Sequence, residues 1–264
     1  GSTHTYEEYE KEVARIEALV AGKGFTVLLQ RPFVVVGDEK PATVRQRARR
    51  TVKWAVDHLK ELYFEKDPDE IITIWLLKDD ESYYKHAKLF FGDEPDTPFG
   101  YYSSSDNAMV MNIATGGGTL VHEIVHPFVA ANFPDCPSWF NEGLGSLYEQ
   151  SSQRGGMIIG LTNWRLAGLQ KAIKGGDLPS FATLTATTDH QFYNEDPGTN
   201  YAQARYLCYY LQEQELLKQY YDQSRSSTST DPTGYKTLTK ILKTEDLPAF
   251  QHQWEKWILT LTFP

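Results

Sequence analysis

Leu120 to Glu149 reads LVHEIVHPFVAANFPDCPSWFNEGLGSLYE, and it holds the chain's most specific chemical pattern. His122-Glu123-Ile124-Val125-His126 is an H-E-x-x-H motif. On a helix, residues four apart share a face, roughly 6 Å apart along the axis. Two imidazoles placed so can hold one metal ion, and the glutamate beside the first can act on a water at that metal. Residues 127 to 141 follow, and then Asn141-Glu142-Gly143. A catalytic zinc usually has three protein ligands and an open position. Glu142 is placed to be the third, because it opens a second apolar-periodic run (Leu144, Leu147, Tyr148) that a second helix would carry back to the first. Pro127 removes a helical donor and biases His126 away from helical angles, so a bend or break is expected just after His126.

H-E-x-x-H followed by N-E-G resembles the gluzincin metallopeptidases, which include the zinc aminopeptidases and the bacterial peptidase-MA-like domains. The spacer of 15 residues, 127 to 141, departs from the 18 of the aminopeptidases. Pro137-Ser138-Trp139-Phe140-Asn141-Glu142-Gly143 is similar to the P-x-W-x-N-E-G approach of the peptidase-MA-like proteins. The resemblance implies a zincin-like α+β fold and a zinc metallopeptidase activity. It also implies that the last strand before the metal helix, Asn107 to Ile113, is the sheet edge along which substrate lies.

The composition fits this class. With 264 residues, 41% apolar and 13% aromatic, the chain can bury a large core in one or two domains. A net charge of −9 argues against a general nucleic-acid or anionic-membrane binder. Ile71 to Leu77 is the longest near-continuous apolar run, far short of a transmembrane helix. Gly1-Ser2 opens the chain without Met, as a cloning scar would. The compartment is not read directly; a secreted or cell-envelope bacterial protein, its signal peptide trimmed away, is the expectation. Cys136 and Cys208 make no disulfide framework and read as small buried hydrophobes.

From the N-terminus, Thr5 and Glu8 predict a capping box, followed by a helical stripe of Tyr6, Tyr9, Val13, Ile16 and Val20 that ends at Gly22 and Gly24. Thr26 to Gln30 and Phe33 to Gly37 read as a hairpin or two consecutive strands. Val44, Ala48, Val52, Ala55, Leu59 and Leu62 mark a long amphipathic helix from about Ala42 to Glu65, with Arg45, Arg47, Arg49 and Arg50 on its solvated face. Ile71 to Leu77 predicts a buried strand and Asp79 to Phe91 a helix. Two more strands are expected at Gly100 to Tyr102 and Ala108 to Asn112. Beyond Glu149 helices are expected at Thr162 to Ile173, Tyr201 to about Tyr221 capped by Asn200, Tyr235 to Leu242 and Leu247 to Leu261. Asp189 to Thr199 and Ser224 to Thr230 read as loops. The expected architecture is one zincin-like catalytic domain, residues 1–264, with an α/β lobe (1–115), a helical lobe (116–264) and the zinc site between them.

The chemistry expected of this set is peptide hydrolysis by a zinc-activated water, with one Zn2+ per chain on His122, His126 and Glu142. Glu123 is the expected general base, passing the water's proton to the leaving amine. Co or Mn could substitute for zinc in vitro. Glu149 is similar to an aminopeptidase glutamate at that spacing and is expected to support His122. Ser146 stands where thermolysin-type gluzincins carry an aspartate. Tyr201 resembles the catalytic tyrosine of the aminopeptidases and is expected to stabilise the oxyanion, with Tyr193 and His190 as competing donors. His58, His86 and His252 read as structural. No G-x-M-E-N element precedes His122, which favours an endopeptidase acting on peptide or protein substrates. The competing class is a non-catalytic zinc-binding interaction or scaffold domain; an intact Glu123 argues against it, since a structural site needs no base.

Overall fold

The structure, a computed structural model, describes residues 3–264. Gly1-Ser2, read above as a cloning scar, lie outside the described residues. The class is α+β, and the chain forms two compact units, the first ending at Asn132 and the second running from Phe133 to Pro264.

In the first unit, helix α1 (Tyr6–Leu19) starts at the predicted capping box, with both Thr5 and Glu8 contacts made. Strands β1 (Thr26–Gln30) and β2 (Phe33–Gly37) pair antiparallel. One continuous helical run follows: α2 (Pro41–Arg47), a π-helical segment Ala48–Lys53, and α3 (Trp54–Leu62). Then come β3 (Ile72–Leu77), α4 (Asp80–Phe91), β4 (Gly100–Ser103), β5 (Ala108–Asn112) and α5 (Gly118–Asn132). The sheet order is β1-β2-β3-β5-β4, with β2, β3 and β5 parallel and the two outer strands antiparallel. Every residue of β2, β3 and β5 is buried, as expected for parallel strands covered on both faces. On one face Val36, Trp75, Leu77, Ala108 and Val110 pack with Ile16 and Val20 of α1 and Tyr83 and Ala87 of α4. On the other, Phe33 meets Phe128 of α5, and Gly37 lies where any Cβ would come within 3.0 Å of Val44 Cγ2.

Two expectations are corrected here. Asn107 to Ile113 is not the sheet edge: β5 is paired on both sides, and the edge beside it is β4. The hairpin through Ser104-Ser105-Asp106 carries the chain from edge strand β4 inward to β5, with Asn107 in the left-handed region (φ 48°) that Asn tolerates. Of the bend or break expected after His126, the break is absent: α5 runs through Pro127 to Asn132. An internal proline costs a helix about 3 kcal/mol. Val125, Phe128 and Val129 beside it are all buried, and each such side chain contributes about 1.5–3 kcal/mol, so together they outweigh it.

The second unit opens with α6 (Ser138–Leu147) and a hairpin of β6 (Ser151–Arg154) and β7 (Met157–Gly160). Helices α7 (Leu166–Lys174), α8 (Phe181–Thr185), α9 (Asp189–Asn194), α10 (Pro197–Glu213), α11 (Leu217–Ser226), α12 (Tyr235–Leu242) and α13 (Leu247–Ile258) follow. Buried α10 is its centre, packed against α6 and α7. The β6–β7 hairpin turns on Gly155 and Gly156, both at positive φ, a two-residue turn that the sequence reading passed over. Asp189 to Thr199 is not a loop: it contains α9 and the first turn of α10. Asn200 is therefore no cap; it lies inside α10, and its side-chain amide donates to the Phe192 and Glu195 carbonyls. The helix expected to reach Tyr221 stops at Glu213, with Glu215 at φ 59° separating α10 from α11. The one expected at Thr162 starts later, at Leu166, and the Ser224 to Thr230 loop begins as the last turn of α11.

Candidate metal centre

His122 and His126 stand one turn apart on α5, with ring centroids 4.9 Å apart. Packing within the first unit fixes this helix. Phe128 stacks on Phe64 (centroids 5.4 Å apart) and meets Phe33 edge-on. At the C-terminal end the Asn132 side chain accepts from the Glu65 and Lys66 amides and donates to the Lys66 carbonyl at 2.9 Å. Glu123 is half-buried. Burial, then Tyr84 and the Glu123 carboxylate, push the Tyr83 phenol above its usual range.

Glu142 sits in α6, buried at 6% exposure. His122, His126 and Glu142 each offer one ligand atom, and these atoms all lie within 4.8 Å of one another. Two imidazole nitrogens and one carboxylate oxygen form a donor set that suits zinc and leaves a fourth position, as catalytic rather than structural sites do. The residues present therefore fit a divalent metal.

Helix α6 is held in register by two devices. Gly143 allows α10 to approach until the Ala204 carbonyl and Cys208 Sγ lie where its Cβ would stand. At the other end, buried Arg205 of α10 donates to the carbonyls of Ser146 (2.7 Å) and Leu147 (3.0 Å), and to Leu161 (2.5 Å). A cation there gives the Leu147 carbonyl a partner, shares that of Ser146 with the Glu149 amide, and complements the helix dipole.

The remaining candidates lie in the second unit around α6. The Tyr193 hydroxyl donates to Glu142 Oε2 at 2.7 Å. Partial burial and the Glu142 charge push its phenol above the usual range, so it stays a donor at neutral pH. Tyr201 lies in the second turn of α10, its ring 5.3 Å from Phe192 and 6.4 Å from Tyr193, with the Arg165 guanidinium over it at 5.0 Å. His190 is exposed on α9, and the Asn194 amide approaches its Nδ1 at 3.3 Å. Glu149 accepts a bidentate pair from Arg165 (2.8 and 3.0 Å) and a bond from Asn163. Arg165, which also lies over Trp164 at 4.3 Å, was not singled out in the sequence; nothing local distinguishes it from a surface arginine. His86 is buried against Phe90 and Phe25, and His58 bonds the Trp54 carbonyl. Cys208 is buried and Cys136 half-buried, both as thiols.

The family model described as protein of unknown function (DUF1570) matches residues 115–232. That span takes in both motif segments, Tyr193 and Tyr201. No curated protein matches the sequence. Among the described residues no helix is long and apolar enough to cross a membrane.

Proposed function

We propose that this chain is a zinc-dependent metallopeptidase of the zincin-like, gluzincin type that hydrolyses internal bonds of extended peptides. The observation carrying the proposal is the convergence of His122, His126 and Glu142 on one point, with Glu123 beside the first ligand on the same helix. When bound, zinc supplies a Lewis acid that polarises a carbonyl and lowers the pKa of water. Glu123 follows His122 in the helix, about 100° around it, and is left free for proton transfer. Its carboxylate takes the proton of the attacking water and delivers it to the amine nitrogen of the leaving peptide. Tyr201 donates its phenolic proton in a hydrogen bond to the carbonyl oxygen as charge develops there. Edge strand β4, which packs near α5, offers unpaired backbone groups to an extended substrate, with Tyr102 beside them at 39% exposure.

The test is hydrolysis of a quenched peptide library by the protein as purified, with chelator, and as Glu123→Gln, followed by mass-spectrometric mapping of the cut sites. Elemental analysis should give close to one zinc per chain. Loss of hydrolysis with chelator and in the variant supports the proposal. A zinc-loaded protein that cuts nothing would leave a binding or scaffold domain in its place.

A further inference from the structure

We propose that Tyr193 is a positioning residue that restricts Glu142 to one-oxygen ligation of the metal. The inference rests on the metal reading above and adds to it the reason the third ligand keeps a coordination position free. A carboxylate offers two oxygens, and a metal ion can take either one or both. Here Oε2 of Glu142 accepts the Tyr193 hydroxyl at 2.7 Å. A hydroxyl on a carboxylate at that length is a charge-assisted bond, among the stronger kinds in proteins.

The hydroxyl is held in place from several directions. Helix α9 opens on a capping box in which Thr188 and Gln191 satisfy each other's backbone amides. Asp189, its first residue, accepts from Ser138 Oγ at 2.5 Å, and Ser138 is the first residue of α6. Asp189 and Tyr193 are four residues apart, as are Ser138 and Glu142. The two helices are therefore joined by two matched contacts one turn apart, and residues four apart share a face. The far end of α9 is tied by the Asn200 amide, which donates to the Phe192 (2.9 Å) and Glu195 (2.8 Å) carbonyls. The Tyr193 ring packs edge-on against Phe192. So short a helix would not hold a phenol on a ligand oxygen without these ties.

The consequence is chemical. With Oε2 engaged by the hydroxyl, Oε1 would be the oxygen left to hold a metal ion. Without the hydroxyl, Glu142 would lose the contact that holds Oε2 to one orientation, and two-oxygen ligation could fill the position that the reaction needs open.

The test compares parent, Tyr193→Phe and Ser138→Ala as full-length proteins, using zinc and cobalt(II) as probes. Tyr193→Phe should weaken zinc binding, read by chelator competition, by about ten- to a hundredfold, the scale for losing a group that orients a ligand. In the cobalt-loaded protein its visible bands should weaken as the coordination number rises. Ser138→Ala deletes one tether and should shift both readouts in the same direction by less. Thermal unfolding of the three metal-free proteins separates positioning from stability. Parental affinity and parental cobalt spectra in Tyr193→Phe overturn the inference, as does a change matched only by a lower melting temperature of the metal-free protein. A parent that binds no metal overturns it together with the metal reading. A parent that binds zinc but cuts no peptide removes only the peptidase activity and leaves the Tyr193 result standing.

Discussion

A Cβ on Gly143 would lie 2.9 Å from Cys208 Sγ and 3.0 Å from the Ala204 carbonyl oxygen, so α10 approaches α6 beside Glu142 too closely for any side chain at position 143. Backbone on one side and a buried sulfur on the other leave little room to give. Gly143→Ala should destabilise the protein by about 1–3 kcal/mol, the usual cost of overpacking. The urea midpoint measures it, and an unchanged midpoint would show that the helices separate freely.

Arg205 is fully buried and spends its guanidinium on three main-chain carbonyls, two of them ending α6. Burial pushes its pKa down, and the nearby Tyr206 and Glu149 push it back up. Arg205→Ala strands those carbonyls in the core at about 1–3 kcal/mol for each left unpaired, and opens a cavity besides. We expect a loss of at least roughly 3 kcal/mol in urea unfolding. Arg205→Lys, which keeps the charge but not the fork of donors, should fall between. A neutral Arg205→Ala would mean that these carbonyls find water.

The His122, His126 and Glu142 cluster was legible because H-E-x-x-H and N-E-G are local patterns with a spacing that suits one metal ion. The buried strands were legible for the same reason, since β2 and β3 are near-continuous apolar runs. Strand order was not: nothing within Ala108–Asn112 tells that β4 folds back outside it, so the edge was misassigned. Pro127 was read by its local penalty, while the opposing term, burial of Phe128 against Phe33 and Phe64, is set by residues far away in sequence. Helix α9 was missed although its signal was present: Thr188 and Gln191 have capping-box spacing, overlooked among Asn, Asp, Pro and Gly. Recognising it would have brought Tyr193 forward, since a residue four beyond Asp189 shares its face.

Metal removal and Glu123→Gln separate binding from chemistry. Any ligand that binds only the folded state stabilises it, by about 2.7 kcal/mol at a hundred times its Kd. Chelated protein should therefore melt at a lower temperature and recover on adding zinc. Glu123→Gln should keep that zinc-dependent melting, since all three ligands survive, yet lose turnover by about a hundredfold or more. Equal melting with and without metal would refute the site, whereas full activity in Glu123→Gln would refute only the base.

Tyr201 and Tyr193 make a contrast that kinetics can resolve. Their rings lie 6.4 Å apart, but Tyr193 bonds a ligand oxygen while Tyr201 lies under the Arg165 guanidinium, which Glu149 holds from its other side. The guanidinium over its ring puts a positive charge beside Tyr201 that Tyr193 lacks. That suits it to a developing oxyanion. Tyr201→Phe should lower kcat by about a hundredfold or more, the scale for one oxyanion donor, with KM and zinc affinity near parental values. Arg165→Met should give a smaller fall in kcat, because it leaves the hydroxyl and removes the guanidinium that packs over its ring. Steady-state kinetics alongside zinc titration on the same preparations reads both. If Tyr201→Phe turns over at the parental rate, the oxyanion donor lies elsewhere, and His190→Ala is the next variant to measure.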